Sequence, residues 1–406
     1  MNKFINLLKS PRIILLYIFF SLILFPIVLV FFIDDTFFQK IIYFFFIFFV
    51  IILISDFIFL FLYRLFTGYH YKFLKKIDFN NMAFEPHPYL PYIYKKKFKR
   101  IHGLGEMSYP LNKEIKFPEL STNNMGHYNG DNGERDVKIP KPNNLIRINC
   151  VGGSTTGNYI KGDNNNHSYP LELERMLKKK FFNKEIEVNN CGQGGNNSAD
   201  ILVRFVLQGI DTKPDYLVIY HAYNDIRSYL TPNFSSDYFH SRKNLGEVYW
   251  KYYVGSKIPN VRINFINYCI NKYLFPFDER STILESISKN KIDINQDYTL
   301  GLRAYERNIQ NIINLCLKNK IKVILSTFCV YLYPKIKNDP LHQLYQKIVF
   351  EENEIMKKLA KINNLILVDP DSLIEKNSIN FVDSTHFSIE GMKKLANCIL
   401  DKIELN

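Results

Sequence analysis

Residues 145–158 read LIRINCVGGSTTGN, and the fold turns on what the glycines and the serine after the apolar run do. Gly152 and Gly157 have the G-x-x-x-x-G spacing of a phosphate loop. Such a loop needs a lysine after its last glycine to meet the phosphates, then Ser or Thr for magnesium. Asn158 and Tyr159 stand there instead, which argues against nucleotide binding. The common serine-elbow pattern G-x-S-x-G fails as well, because Thr156 occupies its last glycine position. What is left is a strand that ends in a serine-bearing turn, Gly152-Gly153-Ser154, and the question of which groups join that serine.

Working outward, LIRINCVGG (145–153), EIEVNNC (185–191), DYLVIYHA (215–222), KVILSTFCV (322–330) and LILVD (365–369) read as strands rich in Val, Ile and Leu. Helical patterns lie between them. Residues 170–177 follow Ser168, residues 199–208 follow Ser198, and Tyr305, Ile309, Ile312 and Cys316 share one face. Near the end, Ile389, Met392, Ala396 and Ile399 do the same. Strand and helix in alternation predict a parallel sheet covered on both faces. In such sheets ligands bind outside the carboxyl ends of the strands. Four segments reach that edge: Gly152-Gly153-Ser154, Asn190-Cys-Gly-Gln-Gly-Gly195, His221-Ala-Tyr-Asn-Asp225 and Phe381-Val-Asp-Ser-Thr-His-Phe387.

A serine hydroxyl is a poor nucleophile until a base takes its proton, and histidine oriented by a carboxylate is the usual base. Asp383 and His386, three residues apart in a loop entering a helix, supply both. A tetrahedral oxyanion needs donors. The backbone N–H groups of Ser154 and Gly195 and the side-chain amide of Asn224 make three. Taken singly, Ser154 and Asp383 also read as helix caps, and Asn224 with Asp225 as turn formers. Their convergence at one sheet edge favours catalysis. His221 and Arg227, which flank Asn224, are candidate substrate-binding residues.

The first 63 residues are of another kind. Residues 13–33 carry no charge and residues 41–63 carry one, Asp56. At about 1.5 Å per residue, each can cross a hydrocarbon core roughly 30 Å thick. The link 34–40 leaves room for a helical hairpin. A cleaved signal peptide fits poorly, because the apolar stretch is too long and no small-residue cleavage site follows it. Lys3, Lys9 and Arg12 precede the first span, and Arg64, Lys72, Lys75 and Lys76 follow the second. By the positive-inside tendency both ends, and with them the large domain, face the cytoplasm. Asp56 is read as a carboxylate that reaches toward headgroups rather than as part of an ion path.

The net charge of +13 is spread along the chain, with one dense run at Lys95, Lys96, Lys97, Lys99 and Arg100. No nucleic-acid motif accompanies it, so membrane lipids are the expected partner and nucleic acid is not. Six cysteines show no C-x-x-C pair and no metal-ligand spacing with the nine histidines. Most sit in apolar runs, where reduced buried thiols are found, and the spacing leaves no metal expected. Residues 64–144 read as an irregular juxtamembrane region ending in Ile139-Pro-Lys-Pro-Asn-Asn144. Residues 145–406 form the main domain, with an insertion at 226–300. Its Tyr249, Trp250, Tyr252, Tyr253, Tyr268 and Phe277 are read first as local packing.

The set Ser154, Gly195 (in N-x-G-x-x-G from Asn190), Asn224, and Asp383 with His386 resembles the SGNH hydrolases, the GDSL-type esterase and lipase superfamily. That family carries Ser, Gly, Asn and Asp-x-x-His in four blocks in this order. The resemblance covers about residues 145–406. Upstream, Thr122-Asn-Asn-Met-Gly126 is similar to a segment that leads into the first block in membrane-associated members. Two blocks depart from the pattern: G-G-S stands for G-D-S, and Ala222-x-Asn-Asp for G-x-N-D, which bears on how Asn224 is presented. The resemblance implies a three-layer flavodoxin-like fold, no cofactor, and Ser-His-Asp ester hydrolysis with Ser154 N–H, Gly195 and Asn224 as oxyanion hole. The superfamily includes esterases of acetylated carbohydrates, lipids and small esters, and the membrane anchor makes an acylated carbohydrate or glycolipid the expected substrate, with a lysophospholipid or other acyl ester next. An O-acyltransferase with the same triad and a non-catalytic polysaccharide-assembly protein that keeps the fold both stay open.

Overall fold

The computed structural model describes residues 36–67, 83–99, 111, 121–128, 135–158, 160–162, 165–242, 266, 269 and 292–405. The chain divides into two units, Met1–Phe79 with Lys251–Thr282 and Asn80–Trp250 with Ile283–Asn406. In the first, helix α1 (Phe37–Thr67) has 31 residues. It is apolar on every side, so no stripe is reserved for a protein core, and Phe45, Phe49, Phe57 and Phe61 stand exposed. It is long and apolar enough to cross a membrane. It covers the second expected span, 41–63, and extends past both of its ends. The first expected span, 13–33, lies outside the described residues, as do Arg100 and the six aromatics singled out in the insertion.

The second unit is built on five parallel strands: β1 (Leu145–Val151), β2 (Glu185–Asn190), β3 (Tyr216–Tyr220), β4 (Lys322–Ser326) and β5 (Ile366–Val368). Their spatial order is β2-β1-β3-β4-β5, the flavodoxin-like order. Every residue of β3 is buried, because this central strand has helices above and below it. On one face α2 (Tyr169–Lys180) packs against α7 (Ile389–Leu400). On the other, α5 (Thr299–Lys318) packs against α3 (Ser198–Arg204), α4 (Asn224–Tyr229) and α6 (Pro340–Ile362). The expected three layers are therefore present.

Side chains with the right chemistry start α2, α3 and α7. Ser168 accepts from Leu171 N–H ahead of α2, with Pro170 in its first turn, and Ser388 accepts from Gly391 N–H ahead of α7. Asn197 and Asp200 form a reciprocal capping box at α3. Helix α3 ends at Arg204, and the expected continuation to 208 is a π turn, Phe205–Gly209. Strand β4 stops at Ser326 rather than reaching 330, because Asn353 of α6 takes both backbone groups of Phe328. Its Oδ1 accepts the N–H at 2.7 Å and its Nδ2 donates to the carbonyl at 2.9 Å. With those groups engaged, residue 328 cannot extend the ladder.

Upstream residues are bonded onto the sheet. Gln193 Nε2 donates to the Tyr92 carbonyl at 2.8 Å, Arg135 pairs with Glu174 and donates to the Val188 carbonyl, and Tyr128 bridges antiparallel to Asn190 beside the β2 edge. Between β1 and β2 one face is polar although buried. Arg147 lies opposite Glu187 in register and Asn149 opposite Asn189. Arg147 has no exposed surface; its Nε donates to Glu187 Oε1 at 2.7 Å, and its other nitrogens donate to the Thr212 and Lys138 carbonyls. Removing one member of such a pair leaves the other charge buried without compensation. Glu187→Ala is expected to destabilise this unit by about 3–5 kcal/mol in denaturant titration, and an unmoved midpoint would show that the pair contributes nothing.

Candidate active site

Ser154 starts a one-turn helix, Ser154–Gly157, directly after β1. The turn is fixed from beneath by Thr156, fully buried, whose hydroxyl donates to the Tyr220 carbonyl of β3 at 3.2 Å. It must also be narrow. A Cβ on Gly153 would stand 2.3 Å from Asn224 Nδ2, so a side chain there would evict the asparagine. Across from the serine runs the loop 191–197. A Cβ on Gly194 would be 3.9 Å from Ser154 Cβ, which brings this loop to van der Waals distance of the serine. Gly195 has φ +73°, a value that suits glycine, and a Cβ on it would meet the Tyr92 hydroxyl at 2.7 Å. That hydroxyl donates to the Gly194 carbonyl, so a residue from the upstream segment holds the loop in place.

The fourth segment closes the site. Phe381 and Phe387 bridge antiparallel and pack at 4.8 Å between ring centroids, which pins a short loop between them. In it Asp383 Oδ1 accepts the N–H groups of Thr385 at 2.8 Å and His386 at 2.7 Å. Asp383 Oδ2 lies 2.7 Å from His386 Nδ1, and His386 Nε2 lies 2.9 Å from Ser154 Oγ. A proton on Nδ1 satisfies the carboxylate and leaves Nε2 free to accept from the serine. Burial would push the Asp383 carboxyl up, but the bond and charge of His386 and the two amides outweigh it and hold it low. Both side chains keep 19 % of their surface exposed, so the imidazole is reachable.

Asn224 Nδ2 donates to the Asn196 carbonyl at 2.8 Å, which ties the third segment to the second. Beneath it lies Asp225, with no exposed surface. Its Oδ1 accepts the hydroxyls of Ser198 at 2.6 Å and Tyr238 at 2.7 Å. Its Oδ2 accepts the Ser198 N–H at 2.8 Å and lies 2.6 Å from His221 Nε2. Burial would raise this carboxyl, but His221, Ser198 and Tyr238 together bring it below its ordinary value.

The structure thus brings Ser154, His386 and Asp383 into one hydrogen-bonded line and sets Gly195 and Asn224 in the adjoining loops. It does not place His221 where a substrate could reach it. The ring is 1 % exposed and its Nε2 is engaged by Asp225, so this candidate is corrected to a buried prop of the loop. Arg227 lies half-buried on α4 near Tyr345, and burial lowers its guanidinium from its ordinary value. Reading by sequence missed Tyr92 and Glu352, which contact the site loops from segments distant in the chain, and Tyr238, 13 residues past Asp225. Arg242 was missed too; its guanidinium donates to the Gly195 carbonyl at 3.2 Å and pairs with Asp200.

The family model for the GDSL-like lipase/acylhydrolase family matches residues 150–394. Among solved structures, the chain is similar to a GDSL-like lipase from Bacteroides thetaiotaomicron, at 17 % identity over 63 % of this chain and 88 % of that one, with a TM-score of 0.35. It is also similar to an acetylxylan esterase from Geobacillus stearothermophilus, at 16 % identity over 64 % of this chain and 95 % of that one, with a TM-score of 0.39. No curated protein matches the chain.

Asp225 and Asp383 are both held below the ordinary aspartate value of 3.8. A depressed carboxylate adds stability that is complete above its unfolded-state value and is lost as pH falls through the folded-state value. The melting temperature of the second unit is therefore expected to drop as pH falls below about 4. The drop should be shallower in Asp225→Asn; an identical drop would put the acid sensitivity elsewhere.

Proposed function

The chain belongs to the GDSL-like lipase/acylhydrolase family, and from that premise we propose that it cleaves esters through an acyl-Ser154 intermediate, acting on an O-acylated carbohydrate or glycolipid at a membrane. The single observation that supports this most is the hydrogen-bonded line from Asp383 through His386 to Ser154, at 2.7 and 2.9 Å. In the proposed reaction His386 Nε2 takes the hydroxyl proton as Ser154 Oγ bonds to the ester carbonyl carbon. Asp383 keeps Nδ1 protonated and stabilises the imidazolium. The oxyanion is met by the N–H groups of Ser154 and Gly195 and by Asn224 Nδ2. The C–O bond to the alcohol then breaks and His386 gives that alcohol its proton. Water adds to the acyl-enzyme with His386 again as base, and the carboxylic acid leaves as Ser154 Oγ regains its proton. A sugar hydroxyl in place of that water would yield a new ester instead of an acid.

The His386 and Asp383 side chains are each 19 % exposed, which leaves the base within reach of an ester from outside. The same proposal includes two membrane spans, 13–33 and 41–63, with residues 64–406 on the cytoplasmic side. Helix α1 and the Lys and Arg residues on the outer flanks of the two spans support it.

Full-length protein in detergent is expected to hydrolyse an aryl acetate, and Ser154→Ala and His386→Ala are each expected to lower kcat at least about 1,000-fold. Equal turnover by both variants and the wild type would sink the triad. A fluorophosphonate label should be found on Ser154 by mass spectrometry. Transfer of the acyl group to an added sugar at the expense of free acid would mark an acyltransferase. For topology, a reporter fused after Asn406 should be active in the cytoplasm, and activity only outside would reverse the orientation.

A further inference from the structure

Asn224 is delivered by a backbone turn that ordinary residues avoid. Tyr223 has φ 67° and ψ −49°, and Asn224 N–H donates to the Ala222 carbonyl, two residues back, at 2.7 Å. This is a γ-turn of the rare, strained hand. Strain of this kind persists only where surrounding groups hold it.

Helix α6 does the holding. Glu352 Oε2 accepts Tyr223 N–H at 3.2 Å, and Glu352 Oε1 accepts the Tyr229 hydroxyl at 2.9 Å. Tyr345, seven residues earlier and so on the same helix face, packs edge-on against the Tyr223 ring, 5.0 Å between centroids and 78° between planes. Asn353 fixes α6 itself through its two bonds to Phe328. Glu352 has no exposed surface and stands on a face otherwise filled by Ile348, Val349 and Met356, where an apolar side chain would serve packing alone. Burial, then the charge of Asp225, raises its carboxyl well above the ordinary value.

We propose that Glu352 is a positioning residue for ester hydrolysis: it holds the γ-turn at Tyr223 so that the Asn224 side-chain amide stays aimed at the carbonyl oxygen of an ester on Ser154. This rests on reading Asn224 as an oxyanion donor. Ala222 stands where the family pattern has glycine, and the clamp from α6 supplies the constraint from outside the turn.

The test uses the full chain in detergent. Glu352→Ala removes the acceptor of Tyr223 N–H, whereas Glu352→Gln keeps an amide oxygen for it. Glu352→Ala is expected to lower kcat on an aryl acetate about 10- to 100-fold, a partial loss of one oxyanion donor, with KM within about twofold. Glu352→Gln should keep kcat within about threefold of wild type. Should Glu352→Ala not fold, Glu352→Met, which keeps volume without the acceptor, replaces it. Wild-type kcat in the Ala or Met variant, or equal losses in that variant and Gln, would overturn the proposal. A crystal structure of the Ala or Met variant tests it apart from activity. The turn should relax to negative φ at Tyr223 and Asn224 should leave the Asn196 carbonyl; an unchanged turn overturns the proposal. A wild-type chain that hydrolyses nothing, with the turn relaxed in the variant, would overturn the esterase reading alone and still support Glu352 as holder of the turn.

Discussion

Burying a carboxylate is unfavourable unless donors in the protein replace the water it loses, and Asp225 obliges four donors from three segments to meet at one point. His221 comes from the end of β3, Ser198 gives both its N–H and its hydroxyl from the start of α3, and Tyr238 reaches in from the insertion. Asn308 of α5 adds a bond to the Ser198 hydroxyl at 2.9 Å, and Tyr305 of the same helix donates to the His221 carbonyl at 2.7 Å. These segments carry or border Asn224, Asn196 and Gly195. The loops facing the serine are therefore placed by the need to satisfy one charge beneath them, and loss of a donor would be felt at the surface.

The sheet order explains why this convergence happens beside Ser154. In the order 2-1-3-4-5 the chain leaves β1 toward one edge and returns at β3 to build toward the other, so the loops after β1 and β3 diverge and leave a crevice between them. Ser154 follows β1 and Asn224 follows β3. The loop after β2 carries Gly195 over the same crevice, and the loop after β5 returns His386 to within 2.9 Å of the serine across 232 residues of sequence. Parallel strands put all their carboxyl ends on one side, so four segments far apart in the chain arrive at one edge without any local signal linking them.

That geometry also sets what sequence could reveal. The five strands follow from short apolar runs and the apolar faces of α5 and α7 from helical periodicity, and the residues at the strand ends were legible because each block has its own chemistry. Helix α6 was not read, because Glu352 and Asn353 interrupt its apolar stripe with residues that normally signal solvent. Both are polar inside the fold for tertiary reasons: one holds Tyr223 and the other ends β4. His221 misled in the opposite sense. A histidine directly after a strand looks available for chemistry, and only the position of Asp225, one turn on, shows its nitrogen to be engaged. Tyr92 lies 102 residues from the glycine loop it supports, a distance over which pattern carries no information.

Two buried carboxyls, Asp225 and Glu352, therefore bracket Tyr223 and Asn224, and they cannot both be charged cheaply. Burial raises each of them. Asp225 escapes because His221, Ser198 and Tyr238 favour its ionised form, and its charge then joins burial in pushing Glu352 up. The outcome is one carboxyl held low by its donors and one pushed up beside it. A second uncompensated negative charge there would oppose an oxyanion forming at Ser154 and would repel the first. Glu352, with its carboxyl pushed up, accepts Tyr223 N–H and so holds the turn. Opposite shifts on neighbouring carboxyls are thus what allow a strained backbone and an anion-receiving site to share the same few residues.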